Sequence, residues 1–316
     1  MLRRLRLICF LSFALGTWAC QAPIDLEFGL AKVSPQLVVV SNFAPDMAVH
    51  VYVSSLQPIL SEDQSSTYIL DAQVEIYQGE LFLETLELVE PKAVNGIPFY
   101  TTNTLQPQVN VEYTIRVSAP GFEPITAMSR IPRPILLRSA RLSDYVAEEL
   151  AEEGKWAVSF RLQLSFEDPA DERNFYHLSL FQQVVSIQAG EGGDTLRTDT
   201  RLKPIHFNPQ DNTKHRVAHI GGGLLLSDEG FEHALVEYDI PLRIELKQGE
   251  EMLGQLFIEL RTVSEEYYRY FAALSRQRQS FQSPFAEPVI LFDNIDGGQG
   301  VFAGYNTVRD SLDIGF

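Results

Sequence analysis

From Trp156 to Phe166 every second residue is apolar: Trp156, Val158, Phe160, Leu162, Leu164 and Phe166 alternate with mostly polar neighbours. Successive side chains of a strand point to opposite faces, so this run predicts a strand with one buried face. The same period of two recurs in Ala48 to Ser54 (Val49, Val51, Val53), in Ala72 to Tyr77 (Val74, Ile76), in Leu81 to Leu88 and in Glu112 to Ala119 (Tyr113, Ile115, Val117). Leu37 to Ser41, Phe99 to Thr104 and Ile125 to Ser129 add further strands. Ser61 to Thr67 reads as polar loop, and Gln78-Gly79-Glu80 and Pro120-Gly121-Phe122 read as turns. Short strands so closely spaced predict a sandwich.

Ile131-Pro132-Arg133-Pro134 predicts a boundary, because two prolines fix extended backbone and remove ladder donors. A first β-sandwich domain is therefore expected over 35–131 and a second β-rich domain over 132–316. In the second, Phe175 to Ile187 is a strand, and Leu235 to Leu246 and Met252 to Val263 look like a pair of strands joined through Gln248-Gly249-Glu250. Acidic Leu142 to Glu153 reads as a short helix or loop, and Ala189 to Asp194 as a glycine-rich loop. Ser264 to Arg278 changes the period: Ser264 caps, Glu265 and Glu266 occupy the first turn, and Tyr267, Tyr268, Tyr270, Phe271 and Leu274 recur at helical spacing. One amphipathic helix is expected near 264–278, covering a sheet edge or face. The predicted fold class is mainly β, with two successive sandwich-like units and one helix.

The chain starts Met-Leu-Arg-Arg-Leu-Arg, and Leu7 to Leu15 is almost wholly apolar, too short to cross a bilayer. This three-part plan predicts a signal peptide over 1–19, with cleavage before Cys20. Gly16-Thr17-Trp18-Ala19-Cys20 resembles a lipobox: Ala19 fits, whereas Thr17 and Trp18 depart from the usual aliphatic and small residues. Lipid on the Cys20 thiol and amine would anchor the chain durably, with 20–34 as tether. Cys9 leaves with the leader, so no internal disulfide is expected in the mature chain.

Composition narrows the function classes. There are 25 basic and 42 acidic residues, net −17, and loss of Arg3, Arg4 and Arg6 takes this to −20. A nucleic-acid partner is not expected, because phosphate binding needs clustered cations. The basic groupings Arg130 to Arg141 and Arg269 to Arg278 read as solvated faces. With 20 Phe, 12 Tyr and no disulfide, stability must come from packing.

Candidate chemistry is sparse. Gly-x-Ser-x-Gly, phosphate-loop and zinc-protease patterns are absent, so no catalytic residue, metal or cofactor is expected. His219-Ile220-Gly221-Gly222-Gly223 resembles an esterase oxyanion segment, but without its serine partner it reads as a flexible loop. His206, His215, His219 and His233 fall close together, and His215 and His219 would share one face of a helix. Pro204, Pro209 and the glycines argue for loop and scattered exposed histidines instead. Asp293-Asn294-Ile295-Asp296-Gly297-Gly298 lacks the acid that completes a calcium loop and reads as a tight polar turn. Ala189 to Thr195 and Asn208 to Gly223, polar and glycine-bearing, are the candidate recognition loops.

Three C-terminal stretches carry a family resemblance: Ser264-Glu265-Glu266-Tyr267-Tyr268-Arg269-Tyr270, Pro284-Phe285-Ala286-Glu287-Pro288, and Asn294-Ile295-Asp296-Gly297-Gly298-Gln299-Gly300-Val301-Phe302-Ala303-Gly304-Tyr305. Weaker matches are Asp71-Ala72-Gln73-Val74-Glu75-Ile76, Phe166-Glu167-Asp168-Pro169 with Asn174-Phe175-Tyr176, and Leu226-Ser227-Asp228-Glu229-Gly230-Phe231. Together they resemble the Bacteroidota outer-membrane lipoproteins grouped as domain of unknown function 4249. The resemblance implies an immunoglobulin-like first unit, a second β-rich unit, and an outer-membrane lipoprotein frequently encoded beside a TonB-dependent transporter, an association from which a nutrient-capture or transporter-accessory role is inferred; it carries over no catalytic residues. Gln21-Ala22-Pro23-Ile24-Asp25-Leu26-Glu27 resembles the acidic signals that send such lipoproteins to the cell surface, which favours surface exposure over a periplasm-facing anchor. The functional expectation is a non-catalytic binding or accessory module that binds a ligand of unknown identity or the extracellular side of a transporter, through loops of the second unit. The alternatives are a structural or adhesion scaffold and, third, a hydrolase.

Overall fold

In the computed structural model, which describes residues 35–56, 68–93, 96–152, 154–170, 172–189, 195–230, 235–281, 287 and 289–314, the alternating runs become strands. The first set comprises β1 (Gln36–Phe43), β2 (His50–Leu56), β3 (Gln73–Gln78), β4 (Leu81–Thr85), β5 (Glu87–Val89), β6 (Phe99–Thr101), β7 (Glu112–Ser118) and β8 (Ile125–Arg130). Then come β9 (Leu137–Glu149), β10 (Lys155–Glu167), β11 (Phe175–Ala189), β12 (Thr195–Pro204), β13 (Arg216–Ala218), β14 (Leu224–Ser227), β15 (Leu235–Lys247) and β16 (Glu251–Val263). Helix α1 (Glu265–Ser280), β17 (Ile295–Asp296) and β18 (Gln299–Asp313) complete the chain. The protein is mainly β. No helix among the described residues is long and apolar enough to cross a membrane.

The first strands make an immunoglobulin-like sandwich. One layer is β1-β2-β6-β5 and the other β17-β8-β7-β3-β4. Val39, Val51, Val53, Val74, Ile76, Ile115 and Val117 meet between them, each nearly inaccessible to solvent, because one face of each strand is uniformly apolar. A second core forms where the three-stranded sheet β15-β10-β9 packs on β11, β14 and β16. There Phe160, Leu162 and Leu164 of β10 meet Leu178 and Leu180 of β11, Leu224 of β14, and Leu256, Ile258 and Leu260 of β16.

Strand β18 ties the two cores into one compact unit, Pro35–Phe316. It pairs in parallel with β1 (Val38 with Gln299 through Phe43 with Gly304) and antiparallel with β16 (Gln255 with Asp313 through Val263 with Tyr305). Phe302 enters the first core, and Leu312 packs against the second. The glycines of the C-terminal motif permit this closure. Gly300 has φ 118°, and a methyl group there would lie 1.9 Å from Val39 O; one on Gly304 would lie 2.3 Å from Arg130 O. Asn294 clamps the turn: its Nδ2 donates to Met128 O (3.1 Å) and Phe302 O (2.8 Å), and its Oδ1 accepts from Phe302 N (3.0 Å). The Asp293 to Gly298 stretch is thus a polar turn with a structural task.

Two expectations are corrected. Residues 142–149 of the acidic stretch read as helix or loop belong to strand β9, an edge strand paired with β10. Ser159 faces Val146 and Arg161 faces Ser143, so Asp144 and Tyr145 form a bulge opposite Phe160, with Asp144 at φ 56°. The acids that hid the strand, Asp144, Glu148 and Glu149, sit on its exposed outer half, where an edge strand needs no apolar side chains. The strands flanking Gly249 (φ 72°) turn where expected, but they are not partners: β15 pairs with β10 and β16 with β11 and β18, so the turn carries the chain between sheets.

Candidate functional site

Helix α1 lies on the face of the large sheet opposite the second core. Ser264, at φ −66° and ψ 160°, accepts from Tyr267 N at 3.4 Å and so caps the first turn, where Glu265 and Glu266 suit the positive end of the helix. Its buried face comprises Tyr267, Tyr268, Tyr270, Ala272, Ala273 and Ser275. It meets alternate residues of β11: Tyr176, Leu178 and Leu180 point into the second core, whereas Phe175 and His177 point toward α1. With both faces covered, β11 can keep polar side chains only if they find partners.

His177 does so. Its Nε2 lies 3.2 Å from Gly222 O and 3.1 Å from Ser179 Oγ, and its Nδ1 lies 3.0 Å from Tyr267 Oη. A carbonyl only accepts, so the proton sits on Nε2 and Nδ1 accepts from the Tyr267 hydroxyl. Arg261 Nη1 donates to the same phenol oxygen (3.2 Å), and its Nε donates to Glu259 Oε1 (2.7 Å). Arg309, opposite Glu259 on β18, donates from Nε to Oε2 (2.8 Å). The His219 ring packs against His177 with centroids 4.3 Å apart and the ring planes tilted by 45°. Its Nδ1 lies near both the Gly221 N–H (3.0 Å) and Gly222 O (3.2 Å), which ask for opposite roles; the N–H has a fixed proton, so Nδ1 accepts.

Charge follows burial. Burial holds His177 well below the ordinary imidazole value, and the neighbouring His219 and Arg261 add to this. Burial likewise pushes His219 down to about 4, with Arg261 and His206 contributing. Burial works against ionisation of Glu259, but Arg261 and Arg309 outweigh it and hold the carboxyl below its usual value. The result is a neutral histidine pair beside a fixed ion-pair triad.

The glycine stretch beside this pair differs from the flexible loop expected. His219 N donates to Gly223 O (2.9 Å), Gly223 N to Ile205 O (3.1 Å) and Ile220 N to Ser275 Oγ of the helix (3.1 Å). Gly223, at φ 92°, approaches β11 so closely that a methyl group would lie 2.3 Å from Leu178 O. These glycines serve packing. Much of the proposed recognition segment 208–223 is likewise built in, with Val217, Ala218, Gly222 and Gly223 buried and Asn212 Oδ1 accepting from Ala218 N (2.7 Å).

Among the expected candidates, His206 is exposed, while His215 and His219 are half-buried and do not share a helical face. His233, residues 190–194 and Cys20 lie outside the described residues. Among the described residues, no group of three His, Cys, Asp or Glu side chains converges as a metal site would require. His177, Arg261 and Glu259 were not singled out from sequence; the available signal was a histidine set directly between the apolar residues Phe175-Tyr176 and Leu178.

Beside the helix opens a cleft of about 450 Å³, with Arg173, Lys214, His215, Arg269 and Arg276 around it. Its floor is the stacked pair Phe175 and Tyr268, with ring centroids 4.8 Å apart. Glu229 receives Lys214 Nζ (3.6 Å), His215 Nδ1 (3.5 Å) and the Arg173 guanidinium. Two segments of the resemblance meet here: Asn174 N donates to Asp228 Oδ2, and Asp228 N to Asn174 O (3.1 Å).

Two sandwich cores on a shared sheet, a helix sealing a polar layer and an open basic cleft define a β-rich module built around packing. The chain belongs to the family described as Domain of unknown function (DUF4249), whose model matches residues 22–311. No curated protein matches it.

Proposed function

We propose that this protein is a cell-envelope lipoprotein, held by lipid on Cys20 at the outer membrane and facing the cell surface, where it acts as a non-catalytic binding or accessory module for TonB-dependent uptake. The observation that carries this reading is the sequence Gly16-Thr17-Trp18-Ala19-Cys20 following the apolar run Leu7 to Leu15 and the basic start at Arg3, Arg4 and Arg6. The open cleft beside α1 supports binding as the role of the folded part.

A hydrolytic role is disfavoured by access. Ser179 Oγ lies 3.1 Å from His177 Nε2, but that nitrogen carries the ring proton and cannot take one from the hydroxyl, and the two residues are only 6% and 3% exposed.

The test is affinity purification of the intact protein from gently solubilised host membranes, followed by mass spectrometry of co-purifying proteins. The expected result is a TonB-dependent transporter in near-stoichiometric amount. An anchored protein recovered alone contradicts the accessory role and favours a scaffold.

A further inference from the structure

The cleft beside α1 inverts the charge of the molecule around it. The chain carries net −17, yet four permanent cations, Arg173, Lys214, Arg269 and Arg276, line this cleft against two carboxylates, Glu229 and Glu265. Those carboxylates are already engaged: Glu229 by Arg173, Lys214 and His215, and Glu265 by Arg269 at 3.6 Å. Arg276 has no ion-pair partner among the described residues. The cations arrive from three separate parts of the chain, the segment before β11, the segment before β13, and α1, so no single amphipathic face accounts for their meeting.

The floor is apolar and firm. Phe175 and Tyr268 stack beneath the cations and are 4% and 8% exposed, and the Arg173 guanidinium carbon lies 5.3 Å from the centre of the Phe175 ring. A volume of about 450 Å³ suits a small molecule better than a polymer segment.

We infer that this cleft binds a small organic anion bearing carboxylate or phosphate groups, with Lys214 and Arg276 as its principal cationic contacts. Lysine offers a mobile point charge, and arginine a planar fork matched to an oxyanion. The inference rests on the binding-module reading for its purpose and names the ligand class which that reading leaves open.

The binding can be measured by calorimetric titration of the purified full chain in detergent with inorganic phosphate, with citrate, and with spermidine as a control of opposite charge. Saturable binding of phosphate or citrate is expected, without binding of spermidine; the tighter anion separates the phosphate source from the carboxylate one. Lys214→Ala with Arg276→Ala should weaken binding at least tenfold while leaving Tm unchanged, since both side chains are exposed. Arg141→Ala, on the three-stranded sheet, should leave binding intact. Absence of saturable anion binding, or equal binding by the double variant, overturns the inference. Anion binding without a co-purifying transporter retires the accessory role and leaves the cleft; a transporter without anion binding does the reverse.

Discussion

His177 Nδ1 lies 3.0 Å from the phenol oxygen of Tyr267, ninety residues further along the chain, and this bond joins β11 to the helix that covers it. Protonation of this imidazole would place a charge in a buried layer beside Arg261. Stability should therefore depend on pH in a definite direction.

Both histidines have folded pKa values below the unfolded imidazole value, so the unfolded chain binds more protons between the two. Their contribution is complete above about pH 6.5 and is lost as pH falls toward the folded values, about 4 for His219. For His219 the loss is on the order of 3 kcal/mol. Thermal unfolding across pH 7 to 4.5 should show Tm falling, and His219→Phe should flatten the slope. An unchanged slope in that variant would assign the effect elsewhere.

Two glycines separate conformational strain from steric collision. Gly300→Ala combines φ 118° with a methyl group driven into Val39 O, at the β1–β18 pairing, and should cost about 3 kcal/mol or more. Gly249→Ala also has positive φ, 72°, but meets nothing within 4 Å and should cost about 1–2 kcal/mol. Urea unfolding of both compares them directly; equal losses would mean that the close approach is unimportant.

The bond from Asn174 N to Asp228 fastens the entry of β11 to the end of β14. Asp228→Ala leaves a buried N–H without its acceptor and should cost about 1–3 kcal/mol. Asp228→Asn keeps an acceptor oxygen and should recover part of the loss. If the two variants unfold at the same denaturant concentration, the acceptor is not what matters.

The strands with one buried face were legible from their alternation, and Lys155–Glu167 is the plainest case. Helix α1 was legible because its cap, first-turn acids and aromatic spacing agree. Strand β18 was not read as a strand, since Gly300 and Gly304, which allow its close pairing, also break the apolar rhythm. Strand β14 was missed for another reason: Leu224, Leu225 and Leu226 are all buried because both faces are covered, so no alternation remains. The cleft was hidden by distance along the chain. Arg269 to Arg278 read as a solvated face, and only folding brings Arg269 and Arg276 beside Arg173 and Lys214.

The lipid anchor on Cys20 is tested by mass spectrometry of the N-terminal peptide of protein purified from its host membranes, alongside fractionation of Cys20→Ala. The expected peptide starts at Cys20 and carries diacylglycerol and a further acyl chain, with the variant released from the membrane fraction. An unmodified Cys20, or continued membrane association of the variant, would contradict the anchor.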